Sequence, residues 1–381
     1  MRFTVAVLLV LGGCLALNAS YIGHSSATGH SRKVCGRVKA GQVRCLASVL
    51  TDSGGLEPYS VGSPQGYGPA DWRATYGGGQ SVTKIAIVTA YDDPLLFNDL
   101  TTFARTFGLP PPHICTGSVQ LSCLKKLNQH GEDTLPPSNS SWSVETSLDT
   151  ETIYGLCPGC RISIIEASSP SITSLTAAVD AAVATGATVV SNSYGGPEFA
   201  AESTMDDHYN KPGITMVVSS GDSGYTTNYP AASAAVLAVG GTSLQLTRGR
   251  VAHETAWAGS GSGCGLYEPK PTWQSDNRCS HRAIADIAAD ADPATGAAIY
   301  DSYGREGRGW LTLGGTSLAA PLISGLLANS GRSGNPLARL YQQPSLVRDI
   351  TEGVNGNCRS YLCHGQPGYD GPTGLGVPRG W

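Results

Sequence analysis

The chain has 381 residues, 25 basic and 29 acidic side chains and a formal net charge of −4. This near-balance argues against nucleic acid or an anionic membrane surface as the main partner, because both select basic patches. Apolar residues make up 40%, enough for a sizeable core, so wholesale disorder is excluded, and the length admits several domains or one large α/β domain.

Arg2 precedes an apolar run over 5–11, followed by Gly12-Gly13-Cys14 and small residues. The run is too short to span a bilayer and reads as a secretory signal over 1–19, cut after Ala19. The stretch Leu11-Gly12-Gly13-Cys14 also resembles a bacterial lipoprotein box, so anchoring at the cell surface through Cys14 is the alternative to plain secretion. No later segment is long and apolar enough for a membrane helix. Setting Cys14 aside, the remaining ten of the 11 cysteines fall in near neighbours: Cys35/Cys45, Cys115/Cys123, Cys157/Cys160, Cys264/Cys279 and Cys358/Cys363. An even set in an exported chain points to local disulfides, although sequence does not fix connectivity. Cys157-Pro158-Gly159-Cys160 keeps a redox or zinc motif as its other reading.

Residues 20–60 are polar and read as a short leader or N-terminal arm, and 68–76 as one or two helical turns. A regular pattern starts at Lys84. It predicts strands over 84–89, 161–166, 188–193, 214–219 and 236–239, and helices over 95–107, 143–154, 172–184 and 318–327. Residues 108–133, with Pro110-Pro111-Pro112, read as irregular. Strands alternating with helices predict an α/β fold, a parallel sheet with helices on both faces, and ligands bind such sheets beyond the carboxyl ends of the strands.

Three segments carry chemistry. In Gly314-Gly315-Thr316-Ser317-Leu318-Ala319-Ala320-Pro321, Ser317 sits between a glycine turn and a helix start, near the positive helix end. It is either a nucleophile or a helix cap. The Pro321 in the first turn and the small residues beside it tip the reading towards function. A nucleophile needs a base, and none of the eight histidines sits at a matching helix start. Glu145 and Asp149, four apart on one helix face, offer a carboxylate base instead: their repulsion is relieved by a shared proton that raises one pKa, unless the face is merely solvated. Asp222, in Ser220-Gly221-Asp222-Ser223-Gly224, ends a strand and faces a cleft or forms a turn. Asp92 and Asp93 follow the first strand of the regular pattern and read as loop or cap residues.

Together these segments resemble the sedolisin family, serine-carboxyl peptidases of subtilisin-like fold, over 68–381. Ser191-Asn192-Ser193-Tyr194-Gly195-Gly196-Pro197-Glu198 resembles that family's substrate-binding strand. The resemblance implies a single catalytic domain over 61–381. It implies Ser317 as nucleophile, Glu145 as general base, Asp149 as its support, and Asp222 as oxyanion donor. Ser193, Tyr194 and Gly195 would pair with an extended substrate. An oxyanion donor carboxyl must be protonated and Glu145 must accept a proton, so activity is expected in acid. The segments 349–351 and 365–374 resemble the family's calcium loop. The implied Ca2+ ligands are the Asp349 and Asp370 side chains and the carbonyls of Ile350, Gln366 and Gly368. Gln366 stands where the family often has glycine, and the Cys358/Cys363 pair lies between the two ligand segments.

The expected function is a secreted, monomeric endopeptidase acting on polypeptides. A tripeptidyl-type exopeptidase, a non-catalytic peptide-binding protein and another acyl hydrolase such as an esterase are the alternatives. The family usually carries a long folded propeptide. The roughly 50 residues between the signal and the family-like start are too few for one, so low activity is also in view.

Overall fold

The computed structural model describes residues 30–381, apart from 40, 56, 59–61, 80, 117–121, 275, 277, 306–308 and 332–335. The signal segment and Cys14 lie outside the described residues. In chain order the arm contributes β1 (Ser31–Lys33), β2 (Arg44–Cys45) and β3 (Ser48–Leu50). Then come α1 (Pro69–Tyr76), β4 (Lys84–Ala90), α2 (Leu96–Thr106), β5 (Cys123–Asn128), α3 (Ser140–Leu156), β6 (Arg161–Ala167) and α4 (Ile172–Ala184). They are followed by β7 (Val189–Asn192), β8 (Tyr194–Gly195), α5 (Asp206–Tyr209), β9 (Thr215–Ser219), β10 (Leu237–Thr247) and β11 (Arg250–Ala256). The last third holds β12 (Gly263–Pro269), β13 (His281–Ile284), β14 (Ile287–Asp290), β15 (Ala297–Asp301), β16 (Gly309–Gly314), α6 (Thr316–Ser330) and α7 (Leu337–Gln342).

The main sheet has eight strands in the order β11-β10-β9-β7-β4-β6-β5, with β14 also paired to β10. All its pairings are parallel except the β10–β11 hairpin. The central strands are buried almost throughout, which explains their continuous Val/Ile/Ala runs. Helix α3 packs on α2 and on α6, α6 runs over β7, β9, β10 and β14, and α4 covers β4 and β6. This is the expected subtilisin-like α/β architecture.

Four expectations change. The irregular stretch contains an edge strand, β5, whose Lys125 and Lys126 hid it: Lys126 is half-buried and reaches Asp92, and a disulfide ties Cys123, its first residue, to Cys115. Helix α3 starts three residues early because Asn139 caps it, its side chain accepting from the Ser141 and Trp142 amides at 3.0 and 3.2 Å. Helix α6 starts at Thr316, which moves Pro321 into the second turn, where its missing N–H leaves the Ser317 carbonyl without its helical donor. The arm is not peripheral. Val34, Cys35, Val43, Cys45, Leu46, Ala47, Val49 and Leu50 are buried, and β3 lies between β1 and β16 in a four-stranded sheet.

All five expected cysteine pairs are disulfides, including Cys157–Cys160, whose two residues are buried. Asp93 is a loop residue before α2, one of the two expected readings, and its Oδ1 accepts from the Leu95 amide at 3.0 Å. No helix among the described residues is long and apolar enough to cross a membrane.

Candidate active site

Ser317 is the second residue of α6, at the positive end of the helix, where the Thr316 amide donates to Asp222 and the Leu318 amide to the Gly315 carbonyl. The turn before it works only with glycine. Gly315 has φ +93°, and a methyl there would overlap the Leu46 carbonyl oxygen and the Asp222 carboxylate. Ser317 is fully buried, and its hydroxyl donates to the Ser193 carbonyl at 3.3 Å.

Helix α3 runs beside α6 and brings Glu145 and Asp149 to the same place. Both are buried. Glu145 Oε2 accepts from the Ala47 amide at 2.9 Å, and Asp149 Oδ1 accepts from Ser193 Oγ at 2.6 Å. Glu145 Oε1 and Asp149 Oδ2 have no partner among the described residues. Burial pushes the Glu145 carboxyl well up, the neighbouring Asp149 pushes it further, and the nearby Ser317 hydroxyl pulls it down. Burial likewise raises Asp149 well above its ordinary range. The two buried carboxyls, one turn apart, therefore disfavour each other's ionisation. The Ser317–Glu145 contact is loose, because the serine donates to Ser193 instead; such bonds tighten when substrate arrives.

Asp222 follows β9 and faces the same point. Its Oδ1 accepts from both the amide and the hydroxyl of Thr316 at 2.8 Å, and Ser48 Oγ donates to its Oδ2 at 3.3 Å. Burial raises its pKa to about 6 against the opposing Thr316 bonds. Its Oδ2 therefore carries a proton in acid. Thr316 also accepts from the Gly221 amide at 3.2 Å, which ties the two loops together.

All four expected catalytic residues thus converge. The expected substrate strand is also there: Tyr194 and Gly195 form β8, with Ser193 just before it. Sequence reading missed two things. Ser193 contributes its side chain, to Asp149, as well as its backbone. The arm residues Leu46, Ala47 and Ser48 line the site, and no spacing in the sequence signals this. The described histidines lie elsewhere; His208 pairs with Asp180 and His253 with Glu352.

The two segments expected to hold a metal meet near the C-terminus. The Gly368 amide donates to Asp349 Oδ2 at 2.8 Å, and the Gln366 amide donates to Asp370 Oδ2 at 3.0 Å. Both carboxylates thus meet one loop; burial pushes Asp370 up, and the nearby Asp349 adds to the push. An all-oxygen donor set of this kind fits a hard cation.

A mostly parallel sheet, a serine at a buried helix start and a carboxylate pair beside it define the serine-carboxyl variant of the subtilisin-like fold. Residues 137–341, more than half the chain, match the subtilase family model. The chain is 30% identical to kumamolisin of Bacillus sp. (strain MN-32), over 84% of this chain and 63% of that protein. It is 27% identical to tripeptidyl-peptidase 1 of Bos taurus, over 84% of this chain and 64% of that protein. The solved structure of Pseudomonas sedolisin, a serine-carboxyl proteinase complexed with pseudo-iodotyrostatin, superposes with a TM-score of 0.70 at 30% identity, covering 83% of this chain and 96% of that one. The chain belongs to the sedolisin family of subtilases. It spans about three fifths of the length of the curated relatives it matches.

Proposed function

We propose that this chain is an exported serine-carboxyl endopeptidase that hydrolyses polypeptides in acid, acting as a monomer. The observation that carries the reading is the convergence of Ser317, Glu145, Asp149 and Asp222 on one point beside a strand suited to hold an extended peptide. Ser317 Oγ attacks the scissile carbonyl as Glu145 takes its proton. Asp149, bonded to Ser193, supports Glu145. Protonated Asp222 donates to the oxyanion, and Glu145 returns the proton to the leaving amine. Water then hydrolyses the acyl-enzyme by the same route. The rate is bounded at high pH by loss of the Asp222 proton near about 6. At low pH it is bounded by full protonation of the Glu145/Asp149 pair.

Five disulfides support export. Calcium is proposed at the C-terminal loop through the Asp349 and Asp370 side chains and the Ile350, Gln366 and Gly368 carbonyls. Its service there would be to neutralise two close carboxylates and fix the loop. The likeness to a tripeptidyl-peptidase keeps an exopeptidase as the second reading. The test is hydrolysis of denatured protein between about pH 3 and 8, wild type against Ser317→Ala. Acid-peaked cleavage that disappears in the variant is expected, and cleavage that survives it would overturn the assignment.

A further inference from the structure

Between the two segments of the expected metal site, the Cys358–Cys363 disulfide closes a loop that packs against the turn carrying Asp222. This turn, residues 220–225, leaves the end of β9. Near its start the Gly261 amide donates to the Gly221 carbonyl at 2.7 Å. At its exit the Gly224 amide donates to the Gly259 carbonyl and the Tyr225 amide to the Asn355 carbonyl, each at 2.9 Å. The two loops meet closely. A methyl on Gly224 would overlap the Asn355 carbonyl oxygen, and one on Gly356 would overlap the Tyr225 side chain. Glycine at both positions lets backbone pack on backbone.

These contacts meet at Asn355. Its side chain is buried, and Nδ2 donates to the Ser260 carbonyl at 2.5 Å and to Ser262 Oγ at 2.8 Å. With its carbonyl Asn355 holds the exit of the Asp222 turn. With its side chain it holds the 259–262 segment, to which Gly221 and Gly224 are bonded. Asn355 is in turn fixed by the disulfide loop. Its amide donates to the Cys363 carbonyl at 3.1 Å, and the Cys358 amide donates to Cys363 Sγ at 2.9 Å. Ser262 Oγ also donates into that loop, to the Leu362 carbonyl at 2.7 Å. Cys363 is fully buried.

We propose that Asn355, braced by the Cys358–Cys363 loop, is the positioning residue for Asp222 and sets where the oxyanion donor stands in the cleft. The proposal rests on the peptidase reading above. Thr316 anchors Asp222 Oδ1 at the start of α6. The backbone of the turn must also be in place for Oδ2 to meet the oxyanion, and that backbone is what Asn355 holds. A donor aimed at developing charge is used fully only in the transition state, so a small displacement costs rate rather than ground-state binding. Substrate held along β8 does not depend on this turn. Asn355 thus acts through Asp222 and not on the substrate.

The experiment is steady-state kinetics of the full chain in acid on one peptide substrate, comparing wild type, Asn355→Ala, Asp222→Asn and the double variant. In the wild-type background Asn355→Ala should lower kcat about tenfold with KM within about twofold, because the donor is displaced and not removed. In the Asp222→Asn background, where the acid donor is already gone, the same change should lower kcat by less than about twofold. Equal losses in both backgrounds would make Asn355 a general structural residue and overturn the proposal, as would a loss confined to KM. Where Asn355→Ala does not fold, Ser262→Ala and the pair Cys358→Ala/Cys363→Ala take its place. Both should show a loss in kcat alone that vanishes in the Asp222→Asn background, smaller for Ser262→Ala, which removes one acceptor of the Asn355 side chain. Additive losses there would overturn the proposal equally. If the wild type cleaves through Ser317 while Asn355→Ala keeps full kcat, this proposal falls and the peptidase reading stands. If correctly folded wild type cleaves nothing, both fall.

Discussion

Helix α3 carries polar groups on two faces, and the contrast between them shows what makes an active site. On one face are Glu145 and Asp149. On the other, Ser143, Ser147 and Glu151 lie at intervals of four, against Asp93 and Asp301 from neighbouring segments. Both faces are buried, and burial raises carboxyl pKa values on both: Asp93 to about 6, Asp301 to about 7, Glu151 well up. An unpartnered oxygen does not separate them either, since Glu151 Oε1 has none. The difference is in what the oxygens meet. Ser147 donates to Asp93 at 3.2 Å and to Asp301 at 3.1 Å, and Ser143 to Asp301 at 2.9 Å. Those hydroxyls are spent on structure. The Glu145 face meets a hydroxyl on a helix start and the backbone of an extended segment. A perturbed pKa marks burial; the chemistry needs a nucleophile and a peptide beside it.

The largest effect that tests this contrast is on catalysis. Glu145→Gln should lower kcat by about 10⁴-fold or more, as loss of a triad base does. Glu151→Gln, equally buried on the same helix, should leave kcat within about twofold, since nothing reactive faces it. Steady-state kinetics on a peptide substrate separates the two. Comparable losses would mean that α3 works as one electrostatic unit.

Next in size is Asp222→Asn. The amide donates at every pH but less strongly than a carboxylic acid, so kcat should fall by about 10²–10³. The wild type should lose activity as pH rises through about 6, because ionised Asp222 no longer donates and repels the oxyanion. The variant should lose that high-pH limb. An unchanged limb in the pH–rate profile would assign it to another group.

These comparisons also show why the sequence was legible where it was. The central strands and α4 read directly, because buried parallel strands are continuous apolar runs and α4 repeats its apolar residues at helical spacing. Ser317, Glu145, Asp149 and Asp222 could be singled out because each lies in a local motif, and the fold brings them together. What stayed hidden depends on distant contacts. Lys125 and Lys126 disguised β5, whose partner is β6. The hairpins β10–β11, β12–β13 and β15–β16 break the helix–strand alternation. The polar surface of α3 looks solvated until α2 and α6 cover it. The arm's place in the cleft comes from pairing between residues more than a hundred positions apart, such as Arg44 and Gly195, which leaves no periodicity to read.

A third effect is on stability. Ser147→Ala removes the hydroxyl shared by Asp93 and Asp301 and should cost about 1–3 kcal/mol near neutral pH, with kcat little changed. In acid, below about pH 5, both carboxyls are protonated in the folded and unfolded chain alike to a growing extent, and the cost should shrink. Chemical denaturation at the two pH values measures it. An equal cost at both would mean that packing, not the carboxylates, sets the value.

The last effect is spread over the whole molecule: the pH dependence of stability itself. Asp93, Asp301 and Glu166 have folded pKa values of about 6, 7 and 9, raised chiefly by burial. Their unfolded values are near 4. Between about pH 4 and the folded value, the folded chain keeps a proton that the unfolded chain has released, so the folded state binds more protons and stability falls as pH rises. The contribution is fully present below the unfolded pKa and is lost upward, with the steepest change between about 4 and 7, where several groups act together. Lys126 softens the Glu166 part, since it lies 3.6 Å away. The melting temperature of Ser317→Ala, which cannot digest itself, should therefore be higher at pH 4.5 than at pH 8 by roughly 5 °C or more. A higher value at pH 8 would mean that these carboxylates are ionised in the folded protein and find partners there, which would remove the electrostatic similarity between the two faces of α3.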